Sequence, residues 1–214
     1  PKKMPYDFLR KNLIIGFDPK LFTKKTLSTF FNKKNCRLKP IKINLIDKIW
    51  KRKKTISNSV FYNLPKLSVG SNYQQKIDKI VSNLKKKGAD FHFITASENN
   101  AWLLNIRGSD TKYSPIPYCY SLIDKSKNIK FFCDLKKITS SFEKNLKNID
   151  FLEMNLADKV LARLVGKKFI IDENTCSHYF EEIILQNNKI LPYKDIIYNF
   201  KAIKTKNEIK NIEK

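Results

Sequence analysis

Ala89-Asp90-Phe91-His92-Phe93-Ile94-Thr95, followed by Glu98-Asn99-Asn100-Ala101-Trp102-Leu103-Leu104-Asn105-Ile106, is the stretch whose reading decides the fold class. The first run is aromatic and β-branched and reads as a strand; residues 98–106 read as a short helix. Upstream, Ile77, Ile80, Val81 and Leu84 recur at helical spacing, and Gly88 stands where a helix C-cap belongs. Downstream, strands over 118–123 and 129–133 flank the turn-like Asp124-Lys125-Ser126-Lys127-Asn128. A helix over 136–146, a strand over 150–153, an amphipathic helix over 156–165, a strand over 169–172, a helix over 176–186 and an extended segment over 190–198 follow. Helices that alternate with strands predict a layered α/β domain.

Residues 13–50 form a unit of their own. Leu13-Ile14-Ile15-Gly16-Phe17 is a strand that closes on a turn at Asp18-Pro19, and 21–31 carry apolar residues at helical spacing. An extended segment follows from Cys36, interrupted by Pro40, and Ile46, Ile49 and Trp50 close the unit on a helical turn. Shifted by about 154 positions, the pattern recurs: Asp18 falls on Asp172, Ile43 on Ile197, Ile46 on Phe200 and Ile49 on Ile203. This reads as the tail of one domain followed by a second copy of the same fold. Between them, Lys51-Arg52-Lys53-Lys54 and a stretch rich in Ser, Asn, Pro and Gly have the composition of a linker.

The 214 residues include enough apolar side chains, 42%, to bury a core, which excludes a disordered chain. No apolar run is long enough to span a bilayer, and Pro1 to Asp7 do not lead into a signal-peptide stretch. Cys36, Cys119, Cys133 and Cys176 are scattered with no CxxC pair, so they read as free thiols of a cytoplasmic protein. The net charge of +23 raises nucleic acid as a partner. Yet only five of the 43 basic residues are arginine, the residue suited to phosphate forks and base edges. A basic nucleic-acid binder is therefore the weakest of the functional classes considered.

Candidate chemistry is sparse. The two histidines, His92 and His178, lie on a strand between Phe91 and Phe93 and on a helix near Glu181 and Glu182. His92 reads as a core histidine and His178 as part of an ordinary amphipathic helix. There is no His-x-x-x-His, no glycine-rich phosphate loop and no Gly-x-Ser-x-Gly elbow. No catalytic residue and no metal ligand is expected in this segment. Pro115-Ile116-Pro117 reads as a rigid loop entering a strand.

Three blocks carry a resemblance. Ile15-Gly16-Phe17-Asp18-Pro19 with Lys42 to Trp50 resembles the end of the first domain of the Xaa-Pro aminopeptidases (aminopeptidase P), members of the creatinase/prolidase-like metallopeptidases. Thr95-Ala96 with Ala101-Trp102-Leu103-Leu104-Asn105-Ile106-Arg107-Gly108-Ser109-Asp110 resembles their second domain, and Lys201 to Ile209 the helix that opens the catalytic domain. The family usually has an acidic or neutral residue and Arg-Pro after the Trp; here Trp50 is followed by Lys-Arg-Lys-Lys.

The resemblance implies a creatinase N-terminal-like α/β domain, a mixed sheet flanked by helices, preceded by the C-terminal part of a second copy of that fold. The organisation it implies is 1–54 for the end of the first domain, 55–71 for a linker, 72–200 for the second domain and 201–214 for the start of the helix into a pita-bread catalytic domain. It makes the chain the accessory, non-catalytic region of a three-domain enzyme that removes the first residue of peptides with proline second. Two divalent ions, typically manganese, would be held in the catalytic domain by two Asp, one His and two Glu, and homodimers would form through that domain. The alternative is a catalytically dead creatinase-N-like binding module. Trp102, Arg107 and Asp110 then have two readings: a rim overhanging the active site, or a structural set in which Trp102 fills the core and Arg107 pairs with Asp110.

Overall fold

The computed structural model describes residues 13–31, 36–50 and 59–213, which divide into two compact units. The stretch before Leu13 and the basic run 51–54 lie outside the described residues.

The first unit holds 1–54 with 173–182. Strand β1 (Leu13–Phe17) runs parallel to β2 (Cys36–Pro40), with helix α1 (Lys24–Phe31) between them and α2 (Leu45–Ile49) after. Helix α1 starts three residues later than apolar spacing predicts because the Thr23 hydroxyl caps it, accepting from the Thr26 N–H at 3.0 Å. Phe17 and Leu27 are its buried side chains among the strand and helix residues. Asp18 ends β1 and holds the later chain: its carboxylate accepts from Asn44 Nδ2 at 3.0 Å.

The second unit holds 55–172 and 183–214. Its elements are β3 (Tyr62–Asn63), α3 (Tyr73–Lys86), β4 (Phe91–Ile94), α4 (Ser97–Leu104), β5 (Ile106–Arg107), β6 (Tyr120–Asp124), β7 (Ile129–Cys133), α5 (Ser140–Lys144), β8 (Ile149–Glu153), α6 (Ala157–Ala162), β9 (Lys168–Ile171), α7 (His178–Asn187, its first turn counted in the first unit), β10 (Lys189–Ile190), α8 (Ile197–Ala202) and α9 (Lys206–Ile212). Six strands form one sheet in the order β10-β9-β4-β6-β7-β8. Pairs β10–β9, β9–β4 and β7–β8 are parallel; β4–β6 and β6–β7 are antiparallel, so the sheet is mixed. Successive side chains point to opposite faces, and both sets are buried: Ile94, Ile123, Phe131 and Ile170 on one, Phe93, Leu122, Phe132 and Phe169 on the other. Burial on both faces is why these strands read as nearly continuous apolar runs. Against the first set pack Ile77, Ile80, Val81 and Leu84 of α3 with Leu103 and Leu104 of α4.

Several expectations need correcting. The linker expected over 55–71 is, over 59–71, part of the second unit: Phe61 is 2% exposed in its core, and β3 pairs antiparallel with β5. Polar composition there reflects tight turns rather than a free connector. The helix expected over 98–106 stops at Leu104, because Asn105 takes a left-handed φ of 57° and Ile106 leaves as a strand. The helix expected over 136–146 is two pieces, a 3₁₀ turn over Leu135–Lys137 and α5, separated by the Thr139 cap. The extended segment expected over 190–198 gives way to α8, whose first N–H, that of Ile197, donates to Asp195 Oδ1 at 2.9 Å.

The two units repeat one another in element order. β1-α1-β2-α2 matches β9-α7-β10-α8 at the offset of about 154, and the polar tie recurs: Asp18 with Asn44 in one, Asp172 with Tyr198 in the other.

Candidate functional site

The Trp102–Asp110 block begins at the end of α4. Lys76 of α3 reaches it from beneath: its Nζ stands 4.1 Å from the Trp102 ring centre and donates to the Trp102 carbonyl at 2.7 Å and to Asn105 Oδ1 at 2.6 Å. The ring face attracts the ammonium, and Asn105 passes the connection on by donating to the Ser71 carbonyl at 2.9 Å. Burial pushes the Lys76 pKa down to about 8, against an opposing pull from Glu208. Lys76 was not singled out in the sequence. A lysine one turn into an apolar helical face, four residues past Asn72, which caps α3, is the signal that could have marked it.

Arg107 and Asp110 do not pair with each other, which corrects the pairing expected from the sequence. The Arg107 Nη1 donates to the Ile106 carbonyl at 2.8 Å and to the Ala101 carbonyl at 3.3 Å, and so ties β5 to the last turn of α4. The Asp110 side chain is 3% exposed; it binds Lys137 Nζ and accepts from the Tyr118 N–H at 2.8 Å. Its carboxylate is thereby committed to holding the loop that contains Pro115-Ile116-Pro117. Trp102 is partly buried against the core.

A small cleft of about 40 Å³ opens beside Trp102, lined by Ser71, Lys76, Phe200, Thr205 and Glu208 among others. That is far below the few hundred Å³ of an organic-ligand pocket. Thr205 and Glu208 cap each other at the start of α9, and those hydrogen bonds with the charge of Lys76 hold the Glu208 carboxyl below its ordinary pKa, although burial opposes them.

A second polar cluster lies in the core. His92, 1% exposed, places Nε2 3.3 Å from Asp195 Oδ1 without the alignment of a hydrogen bond. The other Asp195 oxygen accepts from Asn99 Nδ2 at 2.8 Å, and Asn99 Oδ1 accepts from Lys201 Nζ at 2.9 Å. Burial pushes the His92 pKa down, with Asp195 and Asp172 pulling the other way. The acid and base of this cluster are closed from solvent. Cys119 and Cys133 are buried, and burial raises both thiol pKa values, that of Cys133 to about 12, so neither is a reactive thiolate at neutral pH.

His178 of the first unit lies 5.3 Å, ring to ring, from Phe17, and its backbone N–H donates to the Phe22 carbonyl at 2.7 Å. Among the described residues no three His, Cys, Asp or Glu side chains converge on a point where a metal ion could be held. The donors present do not fit a dinuclear centre. Among the described residues, too, no helix is long and apolar enough to cross a membrane.

The second unit is thus a mixed α/β sheet whose polar side chains hold turns and helix ends. The chain belongs to the Creatinase/Prolidase N-terminal domain family, which matches over residues 51–208. It is 30% identical to a probable Xaa-Pro aminopeptidase P of Laccaria bicolor over 95% of this chain and 34% of that protein. An Xaa-Pro aminopeptidase of Drosophila melanogaster is likewise 30% identical over 94% of this chain and 34% of its own length. The fold is that of an X-prolyl aminopeptidase from Caenorhabditis elegans, described as a cytosolic enzyme with a di-nuclear active site: TM-score 0.85, 22% identity, 96% of this chain and 35% of that one. The chain thus spans about a third of the length of these relatives.

Proposed function

We propose that this chain is the accessory region of a cytosolic Xaa-Pro aminopeptidase that removes the first residue of peptides with proline in second position. The observation that carries the reading is the match of nearly the whole chain to one third of two such enzymes. In the intact protein, two divalent ions, with manganese the foremost candidate, would be bound by residues outside this chain, in a catalytic domain that also mediates dimerisation. The accessory region would occupy 1–54 as the end of a first creatinase-N-like domain and 72–200 as a second; residues 59–71 join the latter rather than separating the two. In this reading the Trp102–Asp110 block supplies a wall near the active site. Asp110 and Arg107 keep that wall rigid from behind, and Trp102 is the aromatic at its edge.

The test is release of the first residue from a short X-Pro peptide by the protein extended through its downstream reading frame and loaded with manganese. Release that stops on chelation supports the reading. A folded, metal-loaded extended protein that releases nothing would leave a creatinase-N-like binding module in its place.

A further inference from the structure

Helix α9 is seven residues long and buries none of its residues. A helix of that length has no stability of its own, so its order comes from what holds it. At its start the Glu208 carboxylate accepts from the Thr205 N–H at 2.8 Å and the Thr205 hydroxyl at 2.9 Å, and the Thr205 Oγ1 accepts from the Glu208 N–H at 3.3 Å. At its end Asn211 Nδ2 donates to the Leu67 carbonyl at 3.0 Å. Between these, Gly70 presses on the cap: a Cβ at that position would stand 2.7 Å from Thr205 Cγ2 and 2.8 Å from Thr205 Cβ, closer than carbon atoms approach. Any side chain at position 70 therefore displaces the threonine that caps the helix. Below the cap, Lys76 carries the charge that faces Glu208, and Lys76 is itself fixed by the Trp102 ring and carbonyl.

We propose that the segment around Leu67 and Gly70, together with Lys76 and Trp102, forms a latch that seats α9 and so sets the direction in which the chain leaves this domain. Resting on the function proposed above, the latch fixes the angle between the accessory wall and the catalytic domain that α9 enters. Gly70 is a positioning residue, and its requirement is closeness to Thr205 rather than backbone conformation. Trp102 of the latch packs against the apolar core, but α9 itself buries no residue, so α9 can be released without unfolding the domain.

Hydrogen–deuterium exchange of the 214-residue chain tests this. In Gly70→Val the amides of Ile209 and Glu213, which close the helical turns onto Thr205 and Ile209, should exchange at least about tenfold faster, with β4, β6 and β7 unchanged. Unchanged protection in α9 overturns the latch. Should Gly70→Val also loosen the sheet, Asn211→Ala on the exposed surface decides: faster exchange confined to α9 supports the latch, and none overturns it. In the extended protein, Gly70→Val should raise KM for an X-Pro peptide about fivefold while kcat stays within about twofold, because the wall moves and the reacting groups do not. A loosened α9 with KM unchanged overturns the positioning role. If the extended wild-type protein is inactive while α9 still loosens in the variant, the aminopeptidase reading falls and the seat of α9 stands.

Discussion

Asp110 and Arg107 sit three residues apart and face different tasks, and their substitutions should separate cleanly. Lys137→Met leaves the Asp110 carboxylate buried without its cation, at a cost of about 3 kcal/mol in urea unfolding. Arg107→Ala removes two hydrogen bonds to carbonyls at a half-buried position and should cost only about 1 kcal/mol. His92 makes a pH prediction. Its folded pKa lies below its unfolded value near 6.5, so the unfolded chain binds the proton more readily. The contribution of His92 is complete above pH 6.5 and is lost as pH falls through the lower folded value; unfolding midpoints measured from pH 7 to 5 should decline, and His92→Leu should flatten that decline. Alternation with Phe91 and Phe93 was enough to place His92 in the core. Nothing local could name Asp195 as its neighbour, because the two are brought together only when the chain after β10 folds back beside β4.

At the scale of elements, caps account for both what was legible and what was not. Gly88 closes α3 in the sequence and in the structure, where it takes φ +63°, and at the start of the helix Asn72 and Gln75 form a reciprocal capping box. Thermal or urea denaturation should show Asn72→Ala costing about 1 kcal/mol, through the Gln75 N–H left without its acceptor. Gly88→Ala should cost a similar amount, about 1 kcal/mol, purely from the left-handed backbone, since no atom stands within 4 Å of the added carbon. Where elements were expected to run on, a short polar residue interrupts them. Asn105 turns the chain left-handed after α4, Thr139 restarts it at α5, and Asp195 starts α8. Each is a helix-boundary residue type, yet each is also common in loops, and apolar periodicity extends across it.

At the scale of the molecule, the segment 59–71 changes where the second domain begins. A fragment of 72–214 lacks Phe61 and strand β3, whereas one of 55–214 retains both. Phe61→Ala in the whole chain should cost about 3–4 kcal/mol, and the shorter fragment should melt well below the longer by circular dichroism; equal melting would return 59–71 to the status of a linker. The repetition of β1-α1-β2-α2 by β9-α7-β10-α8 was visible in the sequence because strand, acidic residue and helix recur at one offset. The tie between Asp18 and Asn44, and its counterpart between Asp172 and Tyr198, was not visible, since the tying residues differ in type.

By itself the sequence determined the α/β class, the succession of most elements and the family blocks, because apolar period and cap residues act over a few positions. Tertiary structure alone decided that Asp110 pairs with Lys137, that Lys76 sits on Trp102 and that Gly70 touches Thr205. Those partners lie tens of residues apart or more, and their meeting depends on which faces pack, which no local pattern encodes.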